Sequence, residues 1–168
     1  MRLEPFCTLT FAPAARSKTA AGVASVRAVG GNPLAAPLSE RYAAEPHVAA
    51  LGATTAACEQ WFGAGVADGP LSGSLQCSVR TERRSDGVAA VSINALIALD
   101  SGGNVTVVAH GREAPAGTVV ILVEFGAPAG PLVLLNTASF IGHGHRDPAT
   151  GAWTVELARC DFNGNGQP

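Results

Sequence analysis

An all-β fold laid out as an antiparallel meander is the class this sequence predicts, and three observations predict it. Residues 71–80, LSGSLQCSVR, alternate strictly, with Leu71, Gly73, Leu75, Cys77 and Val79 on one face and Ser72, Ser74, Gln76, Ser78 and Arg80 on the other. That period of two belongs to a half-buried strand. In 88–99, VAAVSINALIAL, the odd positions Val91, Ile93, Ala95, Ile97 and Leu99 form an apolar stripe, while Ser92 and Asn94 share the opposite face. The runs RRSDG and DSGG that end these segments supply aspartate and glycine, the residues that tolerate the positive φ of tight hairpins.

The remaining elements follow in order. FCTLTF (6–11) reads as a first strand. Residues 13–64 are rich in Ala, Gly and Pro and carry little periodicity, so they read as an irregular insertion near the N-terminus. Within it only 46–62, PHVAALGATTAACEQWF, has the composition of a short helix, and it does so against Gly52 and two threonines. NVTVVAH (104–110) is a strand with Thr106 and His110 on one face, and AWTVELARC (152–160) is the last. The runs TVVILVEF (118–125) and LVLLNTASFI (132–141) are apolar on both faces, as in walls packed on both sides or a barrel closed on itself.

Length and composition bound the function classes. The chain of 168 residues predicts a single domain over 1–168. With 47% apolar and 14% charged residues it predicts a buried, strand-rich body. A formal net charge of −2 lacks the basic footprint that phosphate backbones require, so no nucleic-acid partner is expected. MRLEPFCTLTF has no apolar run of a secretory leader, and no span of about 18 apolar residues suits a membrane helix, so a cytoplasmic protein with no membrane partner is expected. Cys7, Cys58, Cys77 and Cys160 form no C-x-x-C pair and are expected as free, mostly buried thiols; in an oxidising compartment up to two disulfides and three pairings would be open.

Several motifs carry candidate chemistry. In FIGHGHRDPATGAW (140–153), His143 and His145 have the two-residue spacing that puts both imidazoles on one side of a strand, with Asp147 as a third candidate metal ligand. The run is similar to the start of the H-x-H-x-D-H signature of metallo-β-lactamases, yet Pro148 stands where the last histidine belongs, and His47 or His110 would have to complete the site. A Gly-rich hairpin is the favoured reading, and no metal or other cofactor is expected. DFNGNG (161–166) matches the opening half of a calcium loop, but the twelfth position falls beyond Pro168, so 161–168 reads as a flexible polar tail. No G-x-S-x-G elbow is present, and the glycine clusters at 63–73 and 100–103 lack the strand-turn-helix setting of a phosphate cradle. Arg83-Arg84-Ser85-Asp86-Gly87 reads as a solvated turn with a local ion pair, the alternative being that Arg84 and Asp86 face a pocket.

The order of ADGPLSGSL, ERRSDG, IALDSGGNV, LLN and IGHGHRDPATGAW resembles that in the small proteins grouped as domain of unknown function 3237. MRLEPFCTL is similar to that family's opening strand, Arg84-Ser85-Asp86-Gly87 to its Arg-x-Asp-Gly turn, and Asp100-Ser101-Gly102-Gly103 to its hairpin. Leu135-Asn136 and the Gly142–Pro148 run are similar to its Leu-Asn strand and Gly-x-Gly-x-x-Asp-Pro turn. The resemblance covers residues 1–12 and about 63–160, and implies a closed antiparallel, calycin-like β-barrel with an interior cavity. Leu132 and Leu134 replace the family's aromatic pair, and Ser92 and Asn94 replace its acid and arginine, which implies a greasier, less charged interior.

Three functions compete. The first is a cofactor-free barrel that binds a small, mostly apolar molecule in its interior, oriented by Asn94, His110 and Asn136, with Arg84 and Asp86 near the rim and Trp61 and Phe62 closing the mouth. The second makes the same cavity an isomerase, cyclase or lyase with His110 as its catalytic base, which requires His110 to face inward beside Asp86 or Asn94. The third is a structural barrel that self-associates as a homo-oligomer.

Overall fold

In the computed structural model, which describes residues 2–14 and 55–161, eight strands form one closed antiparallel barrel. They are β1 (Arg2–Pro13), β2 (Thr55–Asp68), β3 (Gly73–Arg84), β4 (Ala89–Leu99), β5 (Asn104–Glu113), β6 (Thr118–Gly126), β7 (Ser139–Arg146) and β8 (Trp153–Asp161). Each strand pairs with its neighbours in sequence, and β8 returns to pair with β1 from Arg2↔Asp161 to Phe11↔Trp153. The β1 register shifts between Pro5 and Cys7, where Pro5 has no N–H to give to the ladder.

Alternation decides what fills the interior. Odd positions face inward on β1 from Cys7 onward, on β2 to β6 and on β8, even positions on β7, so that Leu9, Leu75, Val79, Ile93, Ile97, Val107, Ile121, Phe140 and Leu157 form one buried apolar core. Tight turns are chemically specified. Asp100-Ser101-Gly102-Gly103 turns with both glycines at positive φ, 92° and 87°. At the β7–β8 turn the Asp147 carboxylate accepts from Ala149 N (2.9 Å) and from the Thr150 hydroxyl (2.5 Å). Gly144 serves a different end: a Cβ there would run into the carbonyl oxygen of Thr154, so glycine lets β7 and β8 approach where the wall curves.

The barrel is the expected one, but three segments differ from the sequence reading. Pro13, expected to open the irregular insertion, ends β1, and residues 55–62, expected within that insertion and a short helix over 46–62, belong to β2, as do 63 and 64; residues 15–54 lie outside the described residues, as does the tail from 162. The Ala and Gly composition hid β2 because its inward positions Gly63, Gly65 and Ala67 are small, so no apolar stripe marks the strand. Residues 132–141 are not one strand: Val133–Thr137 is a short 3-10 helix, and β7 starts only at Ser139. The Asn136 side chain explains that turn. Its Oδ1 accepts from Ala127 N (2.6 Å) and its Nδ2 donates to Ala127 O (3.0 Å), strapping the connection back onto the end of β6. Finally, 118–125 is packed on one face only. Val119, Ile121, Val123 and Phe125 are buried, whereas Val120 and Leu122 are 45% and 67% exposed on the outer wall.

Asn136→Ala removes both strap hydrogen bonds and should lower stability by about 1–2 kcal/mol. Asn94→Ala, on the outer wall and with no side-chain hydrogen bond, should stay within about 0.5 kcal/mol of the parent in the same urea unfolding series.

Candidate functional site

The two ends of the barrel differ in chemistry. At one, Phe6, Phe125 and Phe140 pack against one another with ring centroids 4.8–6.0 Å apart. Beside them a cleft of about 160 Å³ is lined by Pro5, Phe6, Leu134, Leu135 and Phe140, with Glu4 and Arg159 at its border. The other end gathers Arg83, Glu113, Arg146 and both tryptophans. It is formed where β1, β3, β5 and β7 finish and β2, β4, β6 and β8 begin.

The residues arrive there by extension of the inward stripe. On β3 the stripe Leu75, Cys77, Val79 continues as buried Thr81 and then Arg83. On β5 the stripe Val105, Val107, Ala109 ends on Glu113, which is only 3% exposed. On β7 the inward parity of Phe140 and Gly142 leads to Arg146. Trp153 opens β8 opposite Phe11 of β1, and Trp61 lies near the start of β2. The three rings form one cluster: Phe11 stacks on Trp153 at 5.9 Å, and Trp61 sits 6.3 Å from Phe11 and 6.4 Å from Trp153.

The polar geometry is uneven. Glu113 takes an ion-paired hydrogen bond from Arg83 Nη2 at 3.1 Å, and Arg83 Nη1 also donates to Gly87 O at 2.7 Å. Arg146 stands 3.8 Å from Glu113 and 3.8 Å from Glu59, close enough for Coulomb attraction but too far for a hydrogen bond. The Trp61 Nε1, Trp153 Nε1 and Arg84 Nε groups are buried and have no acceptor among the described residues. Most buried polar groups in folded proteins find partners, so three orphan donors at one end need an account.

Of the residues singled out from the sequence, Trp61 and Arg84 have a buried polar atom at this end. Arg84 Nη2 pairs with Asp86 at 2.9 Å, while Asp86 also accepts from Val88 N at 3.1 Å within the turn. His110 faces out from β5 and contacts the Ser92 hydroxyl at 3.2 Å, so it does not reach the interior that a catalytic base would need. Asn94 also faces out, beside Phe62, Gln76 and Leu96 in a shallow outer groove. Asn136 is committed to its backbone strap. Trp61 does face inward at the mouth, whereas its expected companion Phe62 is 62% exposed on the outer wall. His143 and His145 lie on the outer face of β7, Asp147 is held in its turn, and no group of three metal-ligating side chains converges among the described residues.

Sequence reasoning missed Arg83, Glu113, Arg146 and Trp153. The signal was present: each occupies the parity of an apolar stripe, where a charged side chain must be partnered or must serve something else.

The thiols add a titration. Burial pushes Cys7 up to about 12 and Cys77 up to about 11 from an ordinary 9.0. The Thr150 hydroxyl, with Ala149 N, holds the Asp147 carboxyl below its usual range.

No protein-family model matches the sequence, and no curated protein is similar to it. Solved structures share the fold. A protein of unknown function from Clostridium acetobutylicum superposes with a TM-score of 0.64 at 11% identity, covering 96% of this chain and 100% of the other. A beta-barrel like protein from Acinetobacter baumannii gives 0.64 at 12% identity, covering 94% of each chain. An enzyme from Penicillium herquei gives 0.52 at 15% identity, covering 94% of this chain and 93% of the other. At these identities the likeness shows the fold alone: this chain is a small β-barrel protein of that architecture.

Two outcomes are expected from this geometry. Glu113→Ala, which strips Arg83 of its carboxylate partner, should cost about 3 kcal/mol in chemical denaturation. The buried thiols should make stability pH-dependent: an unfolded thiol ionises near 9, the folded ones only near 11 and 12, so the unfolded state loses protons first and stability falls as pH rises above 9. Cys7→Ala with Cys77→Ala should flatten that decline in denaturation curves recorded across the alkaline range.

Proposed function

We propose that this barrel binds a small, mostly apolar molecule at its arginine and tryptophan end, without a cofactor. One observation carries the reading: two indole N–H groups, on residues 6% and 0% exposed, sit there without an acceptor among the described residues. Leaving a buried donor unpaired costs about 1–3 kcal/mol, and a bound molecule that accepts from it offsets that cost. The apolar walls behind it supply the rest of a small-molecule site, many apolar contacts and few convergent polar groups. The order of turn motifs supports placing the chain in the domain of unknown function 3237 group, and its composition supports a cytoplasmic setting. Neither Asn94, His110 nor Asn136 takes part in this reading, and the isomerase, cyclase or lyase built on His110 falls with the outward face of that residue.

Native mass spectrometry of the protein taken directly from cell lysate tests the proposal. The expected result is a discrete adduct of a few hundred daltons that is lost on denaturation and weakened by Trp153→Phe; a bare chain that also gains no mass from an extract of cell metabolites would overturn it.

A second reading, self-association, has its own observation. Leu122, Ile141, Ala158 and Pro5 are cross-strand neighbours on the outer wall of β6, β7, β8 and β1, and form a continuous apolar band. Leu122→Glu should convert an oligomer to a monomer by light scattering; a parent protein that is monomeric at high concentration removes the reading.

A further inference from the structure

The phenylalanine end of the barrel carries a pattern of its own. The β1 register shift between Pro5 and Cys7 inserts Phe6 as an extra residue, which turns Glu4, an even position, to the inward side opposite Arg159 of β8. Arg159 is in turn the cross-strand partner of inward Phe140 on β7. Two opposite charges therefore continue inward stripes at the mouth of the tube, directly across from each other on adjacent strands.

Beside them lies an apolar hollow. The cleft of about 160 Å³ is lined by Pro5, Phe6, Leu135 and Phe140, with Glu4 and Arg159 on its border. Asn136 fixes the Leu135 side, since its two hydrogen bonds to Ala127 hold the 3-10 helix Val133–Thr137 at this end. An apolar cavity of about 150 Å³ holds one benzene. The hollow therefore has room for a single ring or a branched aliphatic chain.

The charges on its border keep their bonding capacity. Glu4 and Arg159 do not bond to each other, and Arg159 has no hydrogen bond or ion pair among the described residues. The Glu4 carboxylate has Arg2 at 3.9 Å, beyond hydrogen-bond range, with side chains 48% and 79% exposed, where water screens the pair. One anion and one cation thus flank the hollow, and their charges sum to zero.

We infer that this mouth binds a free apolar α-amino acid, its ammonium on Glu4, its carboxylate on Arg159 and its side chain against Phe6, Leu135 and Phe140. The zwitterion is neutral overall, as the flanking pair is, and it carries both charges on one carbon, which suits two cross-strand neighbours about 5 Å apart. Its carboxylate accepts from a guanidinium fork and its ammonium donates to a carboxylate. An apolar amine leaves Arg159 without an acceptor, and an apolar acid brings a second negative charge beside Glu4. The site lies at the opposite end of the barrel from the tryptophans and stands independently of the ligand reading there.

Amide proton–nitrogen spectra of the full chain at neutral pH, titrated with leucine and with phenylalanine, test the inference. Each is compared with the analogues that lack one charge: isoamylamine and isocaproate for leucine, phenethylamine and hydrocinnamate for phenylalanine. At least one amino acid should bind about tenfold or more tighter than both of its analogues, because it alone makes both charge-assisted contacts. The shifts should centre on Phe6, Leu135 and Phe140. Glu4→Gln should reduce the preference over the acid, and Arg159→Met the preference over the amine, to about twofold or less. Unchanged unfolding midpoints show that both variants are folded, and the comparison in the parent chain does not depend on them. Analogues that bind as tightly as their amino acids overturn the zwitterion, and a preference that survives both substitutions overturns the roles of Glu4 and Arg159. Spectra that no probe shifts, or shifts confined to the tryptophan end, overturn the site; the small-molecule reading of the tryptophan end is judged separately, by native mass spectrometry.

Discussion

Closure of β8 onto β1 is the constraint on which the rest depends. The ladder from Arg2↔Asp161 to Phe11↔Trp153 leaves no free strand edge and turns a meander into a tube. Once the tube is closed, each inward position faces other side chains, and an eight-stranded barrel is just wide enough for those side chains to fill. Apolar parity then follows around the whole circumference, from Leu9 and Leu75 to Ile121 and Leu157. Small residues appear where the walls crowd, as at Gly144 against Thr154.

The same constraint gives meaning to what breaks the pattern. A polar side chain on the outer wall is solvated and carries little information, and this is the situation of Asn94, His110, His143 and His145. A polar side chain on an inward stripe has to be matched inside the tube. Glu113 and Arg83 are matched by each other. The indoles of Trp61 and Trp153 are not matched by any acceptor among the described residues. Consistency between pattern, packing and hydrogen bonding is lost at this one end of the barrel, and such local losses are where binding sites are found.

Much of the architecture was legible because strand periodicity and turn chemistry are local. The stripes at 71–79 and 91–99 and the Asp-Gly and Gly-Gly turns give β3, β4 and their hairpins within a few residues. β2 was not legible, since Gly63, Gly65 and Ala67 contribute almost no apolar signal and the strand exists because β1 and β3 flank it. The 3-10 helix at Val133–Thr137 was hidden by an apolar run whose turn is set by a side-chain contact between Asn136 and Ala127, nine residues apart. The site was only partly legible. Attention to rare residue types led to histidines and asparagines that the barrel turns outward. Parity would have led to Arg83, Glu113 and Arg146, each a charge in an apolar register, but only barrel closure shows that those registers meet at one end.

The central claim is that the two buried indole N–H groups belong to a ligand site. With only two tryptophans in the chain, proton–nitrogen correlation spectra give one indole signal for each. On addition of the small molecule that co-purifies with the chain, both indole N–H signals should move downfield together as they gain an acceptor, while outer-wall amides such as those around His110 stay in place. Indole signals that do not move at saturating ligand would contradict the account.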